Sequence, residues 1–377
     1  MATDWKEQLA KLREQIDAID GRLIPLFGER MEVSRQVAEI KGRNNLPILN
    51  AEREEQVAQR AAELAGPPLQ GEAALLMRTI MALSREYQHS LLFSGEAPLL
   101  PEPRPPVTEH AVCAYQGLPG AWSEQAAMKL FPAAERIHVE YFEDVFLAVK
   151  EGKAHYGVVP IENSQTGAIG ETYDLLRKYG LYITGRVWID IRQCLLAPVG
   201  TELSHIREVH SHPEALKQCR HYLNARPWNL NACRNTAVAA RLAAESTDGK
   251  TAAIGSRLAA EINGLQVLAA DIEDSHTNRT SFVVVAAQPE YSAESGLISV
   301  TFSTSHRSGA LCESLLPFMA QNLNLVRIES RPSSGGKYRF FAEIEGNIRD
   351  AATVQALRQA ASASEYFEVI GCYSSME

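Results

Sequence analysis

Three rhythms in the sequence predict a multidomain chain: an all-α segment, an α/β segment of one large unit or two lobes, and a small α+β end. Apolar residues recur at three- and four-residue steps over 5–93. Short apolar runs alternate with helical stretches over 108–287, and over 296–377 four strand-like runs frame two helical ones. The predicted domains are therefore 1–93, 108–287 and 296–377. Between the first two lies "SGEAPLLPEPRPPV" at 94–107, whose five prolines read as a stiff, extended linker.

In the first segment, Leu9, Leu12, Ile16, Ile19, Leu23, Leu26, Val33, Val37 and Ile40 form the stripe of one amphipathic helix. It would run about 38 residues, roughly 57 Å at 1.5 Å per residue. A small bundle cannot cover that length, so a partner chain is expected to bury part of it. Pro25 removes a donor and predicts a kink. Asn44-Asn45-Leu46-Pro47 ends the helix. A second helix is expected over 51–65, closed by Gly66-Pro67-Pro68, and a third over 72–93.

In the middle segment, "AVCAY", "YGVVPI", "YITGRVWI", "TAAIGS" and "SFVVVAA" read as strands. "EDVFLAVKEG" and "PEALKQCRHYLNA" read as helices between them. Such alternation predicts α/β layers with sites at strand ends. The last segment reads strand 297–304, helix 309–323, and two strands ("LVRIES", "YRFFAEIEG") joined by the hairpin loop "RPSSGGK". Helix 349–364 and strand "YFEVIGCYS" complete it. β-α-β-β-α-β in about 80 residues is the ferredoxin-like pattern. "SSGGK" lacks the spacing and the strand-to-helix context of a phosphate loop.

Composition limits the function classes. No apolar run approaches the roughly 18 residues that span a bilayer. The start "MATDWKEQLAKLREQ" is charged and has no apolar signal region, so a cytoplasmic protein is expected. A net charge of −9 argues against nucleic acid as a general partner. The six cysteines (113, 194, 219, 233, 312, 372) form no CxxC pair, which fits reduced thiols.

Several polar residues stand at informative spacings. Arg30 and Lys41 are eleven residues apart and share a helix face, as do Ser84 and Gln88 one turn apart. Arg53 and Glu54 open the second helix. A solvated bundle surface accounts for these residues as well as an anion pocket does. In "VVPIENSQTGAIGETYDLL" (158–176) a buried run ends in Glu162-Asn163-Ser164. "SHPEALKQC" (211–219) puts Ser211 and His212 at a helix start with Gln218 two turns on; singly, Ser211 reads as a cap and Gln218 as a solvated residue. His205, His210, His212 and His221 suggest a metal, but no Cys or carboxylate completes a ligand set and Pro213 disturbs the geometry, so none is expected. "HTNRTSF" (276–282) is a polar knot feeding the apolar run from Val283.

The helical segment, through "LREQIDAIDGRLIPLFGER", resembles the all-helical chorismate mutases. The resemblance implies a helix exchanged across a dimer. It also implies a site of Arg13 (from the partner chain), Arg30, Lys41, Asn50, Arg53, Glu54, Ser84 and Gln88. Guanidinium forks suit the two carboxylates of chorismate. The rearrangement needs no nucleophile, only a compact geometry and donors at the breaking ether oxygen, for which the resemblance offers Lys41 and Gln88. Glu54 would accept the ring hydroxyl. Asn50 departs from the family's usual Asp, so reduced activity is expected.

"GLPGAWSEQA" (117–126), "VVPIENS", "SHPEALKQC", "TAVAA" from Thr236, "NGLQVL" (263–268) and Asn-x-Thr-x-Phe at 278–282 resemble prephenate dehydratase. The resemblance implies two α/β lobes like those of a periplasmic binding protein, with Glu162, Asn163, Ser211, Gln218 and Thr280 in the cleft. Prephenate loses CO2 and its ring hydroxyl, so the site must hydrogen-bond or protonate the leaving oxygen and hold two carboxylates. The family usually has Thr-Arg-Phe where this chain has Thr280-Ser281-Phe282. Arg279 and Ser281 share one strand face and Thr280 takes the other. Arg279 is therefore expected to stand in for the missing arginine as a supporting group.

"GALCESLLPF" (309–318) and "ESRP" (329–332) resemble the phenylalanine-binding ACT domain attached to such dehydratases. This implies effector contacts at Gly309, Ala310, Leu311, Glu329, Ser330, Arg331 and Pro332, with Cys312 in place of the usual Val. The whole reading is a bifunctional mutase and dehydratase of phenylalanine biosynthesis. It is feedback-inhibited by L-phenylalanine, needs no cofactor, and forms a homodimer or higher oligomer. The alternative, drawn from the departures at Pro25, Asn50 and Ser281, is an amino-acid-responsive binding protein whose catalytic domains have lapsed.

Overall fold

The computed structural model describes residues 4–92, 98–333 and 337–376. Phe93, residues 94–97 of the proline-rich stretch and residues 334–336 of the hairpin loop lie outside the described residues. Two compact units are present. One holds residues 1–98, 304–321 and 355–365, the other 99–303, 322–354 and 366–377.

The first unit begins with α1 (Asp4–Arg43), α2 (Ala51–Ala65) and α3 (Gln70–Leu92). Helix α1 is one element of 40 residues, continuous through Pro25. Its apolar stripe stays open to solvent in the single chain: Leu12, Ile16, Ile19 and Leu26 are each more than half exposed. Asn50 caps α2 by accepting a hydrogen bond from the Arg53 amide at 3.0 Å.

The second unit opens with residues 99–107, which form neither helix nor strand. They are pinned rather than free: the Arg104 amide donates to the Pro289 carbonyl (2.9 Å) and the Val107 amide to the Tyr156 hydroxyl (2.8 Å). A first lobe follows through β1 (Val112–Gln116), α4 (Trp122–Leu130), β2 (Glu135–Val139), α5 (Phe142–Lys150), β3 (Tyr156–Asn163), β4 (Gly167–Ala168), α6 (Gly170–Tyr179) and β5 (Tyr182–Asp190). The chain then builds a second lobe. It comprises β6 (Cys194–Pro198), a short 3-10 turn, β7 (Glu208–Ser211), α7 (Pro213–Gln218), α8 (Arg220–Asn224), β8 (Asn229–Ala232), α9 (Thr236–Glu245), β9 (Thr251–Gly255), α10 (Arg257–Asn263) and β10 (Leu265–Ala269). It returns to the first lobe with β11 (Arg279–Ala286).

The second lobe is a five-stranded sheet in the order β10-β6-β9-β7-β8. In the first lobe β11 lies between β5 and β3, antiparallel to both. Its residues feed both faces: Val283 and Val285 join a core with Val159 and Ile161, while Phe282 and Val284 join one with Val158 and Val187. Burial on both faces explains the unbroken apolar run.

The expected single helix over 213–225 is two helices. Two backbone groups at the break bond to Asp274 instead of continuing the helix: its amide donates to the Gln218 carbonyl (2.6 Å) and its carboxylate accepts from the His221 amide (3.0 Å). Tertiary bonding outweighs helix continuation at Cys219.

The last elements are β12 (Leu297–Ser303), α11 (Ala310–Ala320), β13 (Leu325–Pro332), β14 (Tyr338–Glu345), α12 (Ala351–Ser362), β15 (Tyr366–Tyr373) and β16 (Ser375–Met376). Their strands pair antiparallel in the order β13-β14-β12-β15, the arrangement of the predicted β-α-β-β-α-β pattern. This sheet continues into the first lobe, because β15 meets β5 at Gly371 opposite Ile183. A Cβ on Gly371 would strike the Ile183 carbonyl oxygen, so the junction requires glycine there.

Candidate functional site

In the helical bundle Arg30 meets Ser84, and Glu54 acts electrostatically on both Arg30 and Lys41. Arg30 donates to the Ser84 hydroxyl at 2.5 Å, and Lys41 donates to the Ile48 carbonyl. Burial lowers the pKa of both Arg30 and Lys41, and the Glu54 carboxylate partly offsets that in each. Gln88 is buried, and its Oε1 has no partner among the described residues. These are the donors and acceptors that a small dianion with a hydroxyl requires.

Three expected members stand elsewhere. Arg13 is exposed on the N-terminal half of α1. Asn50 uses its Oδ1 to cap α2, and its carboxamide NH2 is a separate donor. Arg53 is exposed in the first turn of the same helix.

Glu86, next to this cluster, is 5 % exposed, and burial pushes its carboxyl up to about 7. The folded state therefore holds this proton over a pH range where the unfolded chain, with an ordinary value near 4.5, has released it. Stability is lost as pH rises from about 4.5 through about 7. Glu86→Gln should melt higher than the parent at pH 8 and no higher at pH 4.5, as circular dichroism would show; equal melting at pH 8 would refute a strained carboxylate.

In the second unit the chain crosses between the lobes twice, at 191–193 and 270–278, and the crossings are laced together. The Ile191 amide donates to the Asn278 carbonyl, the Ile272 amide to the Gln193 carbonyl, and the Gln193 amide to the Glu273 carboxylate, each at 2.9 Å. The lobes also touch at Gly120, in the "GLPGAW" loop. Its φ is +94°, and a Cβ there would lie 2.7 Å from the Ala259 Cα. Ser256 donates to the Gly120 carbonyl at 2.9 Å.

Asn163 and Thr280 sit opposite each other on β3 and β11 beside these crossings. Asn163 Oδ1 accepts from the backbone amides of Gln165 (2.9 Å) and Thr166 (3.1 Å), which fixes the orientation of its carboxamide. Asn163 Nδ2 therefore faces Thr280 Oγ1 at 2.9 Å and Asn278 Oδ1 at 2.8 Å. With Thr280 Oγ1 accepting, its own hydrogen is left to donate to a ligand. Asn278 is the residue missed by sequence reasoning. It is 1 % exposed, and its Nδ2 is a buried donor with no partner among the described residues. The Asn-x-Thr spacing was its only signal.

Glu162 does not join this cluster. It lies opposite Ser281, so its side chain leaves the other face of β3. There it forms an ion pair with Arg327 on β13. This corrects the expectation that Glu162 and Asn163 share one cleft. Arg327 also donates to the Tyr173 hydroxyl at 2.8 Å and lies 3.8 Å from Glu343. Glu343 in turn pairs with Arg186 (2.6 Å) and accepts from the Tyr373 hydroxyl (2.9 Å).

Gln218 is tied to the lobe crossings, through its carbonyl to Asp274 and its amide oxygen to Gln193 at 3.4 Å. Ser211 is fully buried, donating to the Ile254 carbonyl at 2.8 Å. It ends β7, and the helix cap is His212, which accepts from the Glu214 amide at 3.2 Å. Arg279 lies over the Trp188 ring and pairs with Asp190 directly opposite on β5 (3.0 Å).

Of the expected effector residues, Gly309 caps α11 with φ +79°, Ala310 is buried and Leu311 half-buried; all belong to the first unit. In the second unit Glu329 and Arg331 share the half-buried face of β13 with Arg327, while Ser330 and Pro332 face outward. Arg331 lies 3.4 Å from Asp174 and, with Arg177, Arg339 and Phe341, lines a cavity of about 190 Å³. Among the described residues no group of three or more His, Cys, Asp or Glu is arranged to hold a metal, and no helix is long and apolar enough to cross a membrane.

Comparison with known proteins adds four findings. The family models described as chorismate mutase type II and prephenate dehydratase match residues 12–89 and 113–290. A bifunctional chorismate mutase/prephenate dehydratase of Neisseria gonorrhoeae is 35 % identical over 99 % of this chain and 99 % of its own. The prephenate dehydratase of Arthrobacter aurescens, solved in complex with L-Phe, is 29 % identical. It superposes with a TM-score of 0.65 over 70 % of this chain and 90 % of its own. A structure described as a novel type of quorum-quenching acylase is also 29 % identical, with a TM-score of 0.66 over 70 % and 98 %. The shared fold thus does not fix the chemistry; the full-length relative does.

Proposed function

Because the chain belongs to the bifunctional chorismate mutase/prephenate dehydratases and carries both activities on chorismate and prephenate, we propose that its two polar clusters are the two active centres. On this reading the domains are 1–93 (mutase), 108–287 (dehydratase) and 296–377 (regulatory ACT domain), with 94–107 as the linker.

In the mutase centre Arg30 holds a substrate carboxylate, and Lys41 and Gln88 donate to the ether oxygen as its bond breaks. Glu54 accepts the ring hydroxyl, and Ser84 aligns Arg30. Arg13 and Arg53 approach from the rim, Arg13 from a second copy of the chain. The solvent-exposed stripe of α1 supports such a homodimer, since an apolar face of that length is rarely left open.

In the dehydratase centre the observation that carries the reading is the fixed Asn163 carboxamide. It leaves the Thr280 hydroxyl as a donor aimed away from its own support. Thr280 donates to the departing ring oxygen. Asn163 polarises Thr280, and the Asn278 amide is a second donor for the same anionic ligand. Gln218 contributes from the second lobe, as in the closing lobes of a periplasmic binding protein. Ser211, Glu162 and Arg279 act as supports. Loss of CO2 and hydroxide makes the ring aromatic, and no cofactor enters.

L-Phenylalanine is the effector, received by the C-terminal segment, and the protein works in the cytoplasm. The β-α-β-β-α-β order and the two signatures support that assignment. The test uses both substrates. Lys41→Met should cut chorismate consumption at least about a hundredfold while prephenate is still converted to phenylpyruvate at the parental rate. Phenylalanine should slow the second reaction. Parallel loss of both activities in Lys41→Met would overturn the two-centre assignment. A dehydratase indifferent to phenylalanine, with no heat of binding by calorimetry, would remove the effector.

A further inference from the structure

Arg85 stands one residue beyond Ser84 on α3 and belongs to no expected site. One guanidinium nitrogen donates to Glu54 Oε2, and the other donates to Glu313 Oε2 on α11 at 3.0 Å. Glu313 is gripped on its far side by both nitrogens of Arg307, at 2.8 and 2.5 Å. The result is a row of alternating charge, Arg307–Glu313–Arg85–Glu54. The side chains of Glu313, Arg85 and Glu54 are each less than a quarter exposed. The neighbouring arginines hold the Glu313 carboxyl below its ordinary range against the opposing effect of burial, so Glu313 is charged at neutral pH.

A guanidinium is a rigid planar fork, so anchoring one edge orients the other. With Arg85 fixed by Glu313, Glu54 is held through Oε2, and its charge acts on both Arg30 and Lys41. Glu54 is a flexible side chain that would otherwise sample several rotamers. We infer that Arg85 is a positioning residue for the mutase reaction and that Glu313, on the C-terminal segment, completes the mutase centre by holding it. This rests on the reading of Glu54 as the acceptor of the substrate hydroxyl. It makes one helix of the C-terminal segment part of the machinery of the N-terminal reaction.

The test is a double-mutant cycle on the full-length enzyme, read by chorismate consumption, with phenylpyruvate formation from prephenate as internal control. Glu313→Gln and Arg85→Met should each lower mutase kcat/KM about three- to tenfold, the range expected of a half-buried charge that aligns a reacting group. Adding Glu313→Gln to Arg85→Met should cost nothing more, because Glu313 acts only through Arg85. Arg85→Lys should recover only part, since an ammonium cannot fork between two carboxylates. Dehydratase turnover should stay within about twofold throughout. Parental mutase activity in Glu313→Gln, additive losses in the double variant, or a parallel fall of the dehydratase would each overturn the inference. Glu54→Gln separates the premise: if it keeps full mutase activity, the reading of Glu54 fails; if it loses activity while Glu313→Gln does not, the positioning role alone fails.

Discussion

Thr280→Ala should lower dehydratase kcat by about 10²- to 10³-fold, the usual cost of deleting one aligned donor from a site where charge develops. Chorismate consumption by the same protein should be unchanged. The argument runs through proton inventory. Backbone amides of Gln165 and Thr166 lock Asn163 Oδ1, so Asn163 Nδ2 must point at Thr280 Oγ1. Thr280 thus receives one hydrogen bond and has one hydrogen left to give. A hydroxyl is a weak acid, but one that already accepts a hydrogen bond donates more strongly. Thr280→Ser keeps the hydroxyl and should retain most of the rate, whereas Thr280→Val, nearly the same shape, should resemble alanine. Steady-state rates with saturating prephenate decide this. A valine variant with parental kcat would show that Thr280 only packs.

Periodicity made much of the fold legible. A three-to-four step set the helices of 5–93, and the period of two set the strands of the C-terminal pattern to within a few residues. The same period of two already contained the correction at Glu162, because neighbours in a strand face apart; grouping Glu162 with Asn163 ignored it. Partners remote in sequence were not legible. Arg85 meets Glu313 across 228 residues, and nothing in the local pattern of either predicts it. Arg327 is a similar case: its alternation with Glu329 and Arg331 was visible, but not that β13 lays that face on β3 and α6. The break at Cys219 was hidden for the same reason, since Asp274 supplies the competing hydrogen bonds.

Removing the arginine that ties β13 to β3 should be the most damaging change to stability. Arg327 is 12 % exposed and Glu343 6 %. Around them Glu162 and Arg186 complete two positive and two negative charges, with the Tyr173 and Tyr373 hydroxyls among them. Such a group gains little over an apolar core when intact, but losing one member strands its partner's charge at a cost of about 3–5 kcal/mol. Arg327→Met should therefore lower the melting temperature of the second unit by roughly 10 °C. Glu162→Gln added to it should restore part of that loss, because the stranded carboxylate disappears; Glu343 keeps Arg186. Scanning calorimetry of the three proteins tests this, and a single variant melting within about 2 °C of the parent would refute it. The same variant should depress dehydratase more than mutase turnover at temperatures where it stays folded. Glu162 is bonded in sequence to Asn163, so slack at the end of β3 reaches the Thr280 hydrogen bond directly, whereas the mutase centre shares none of these residues.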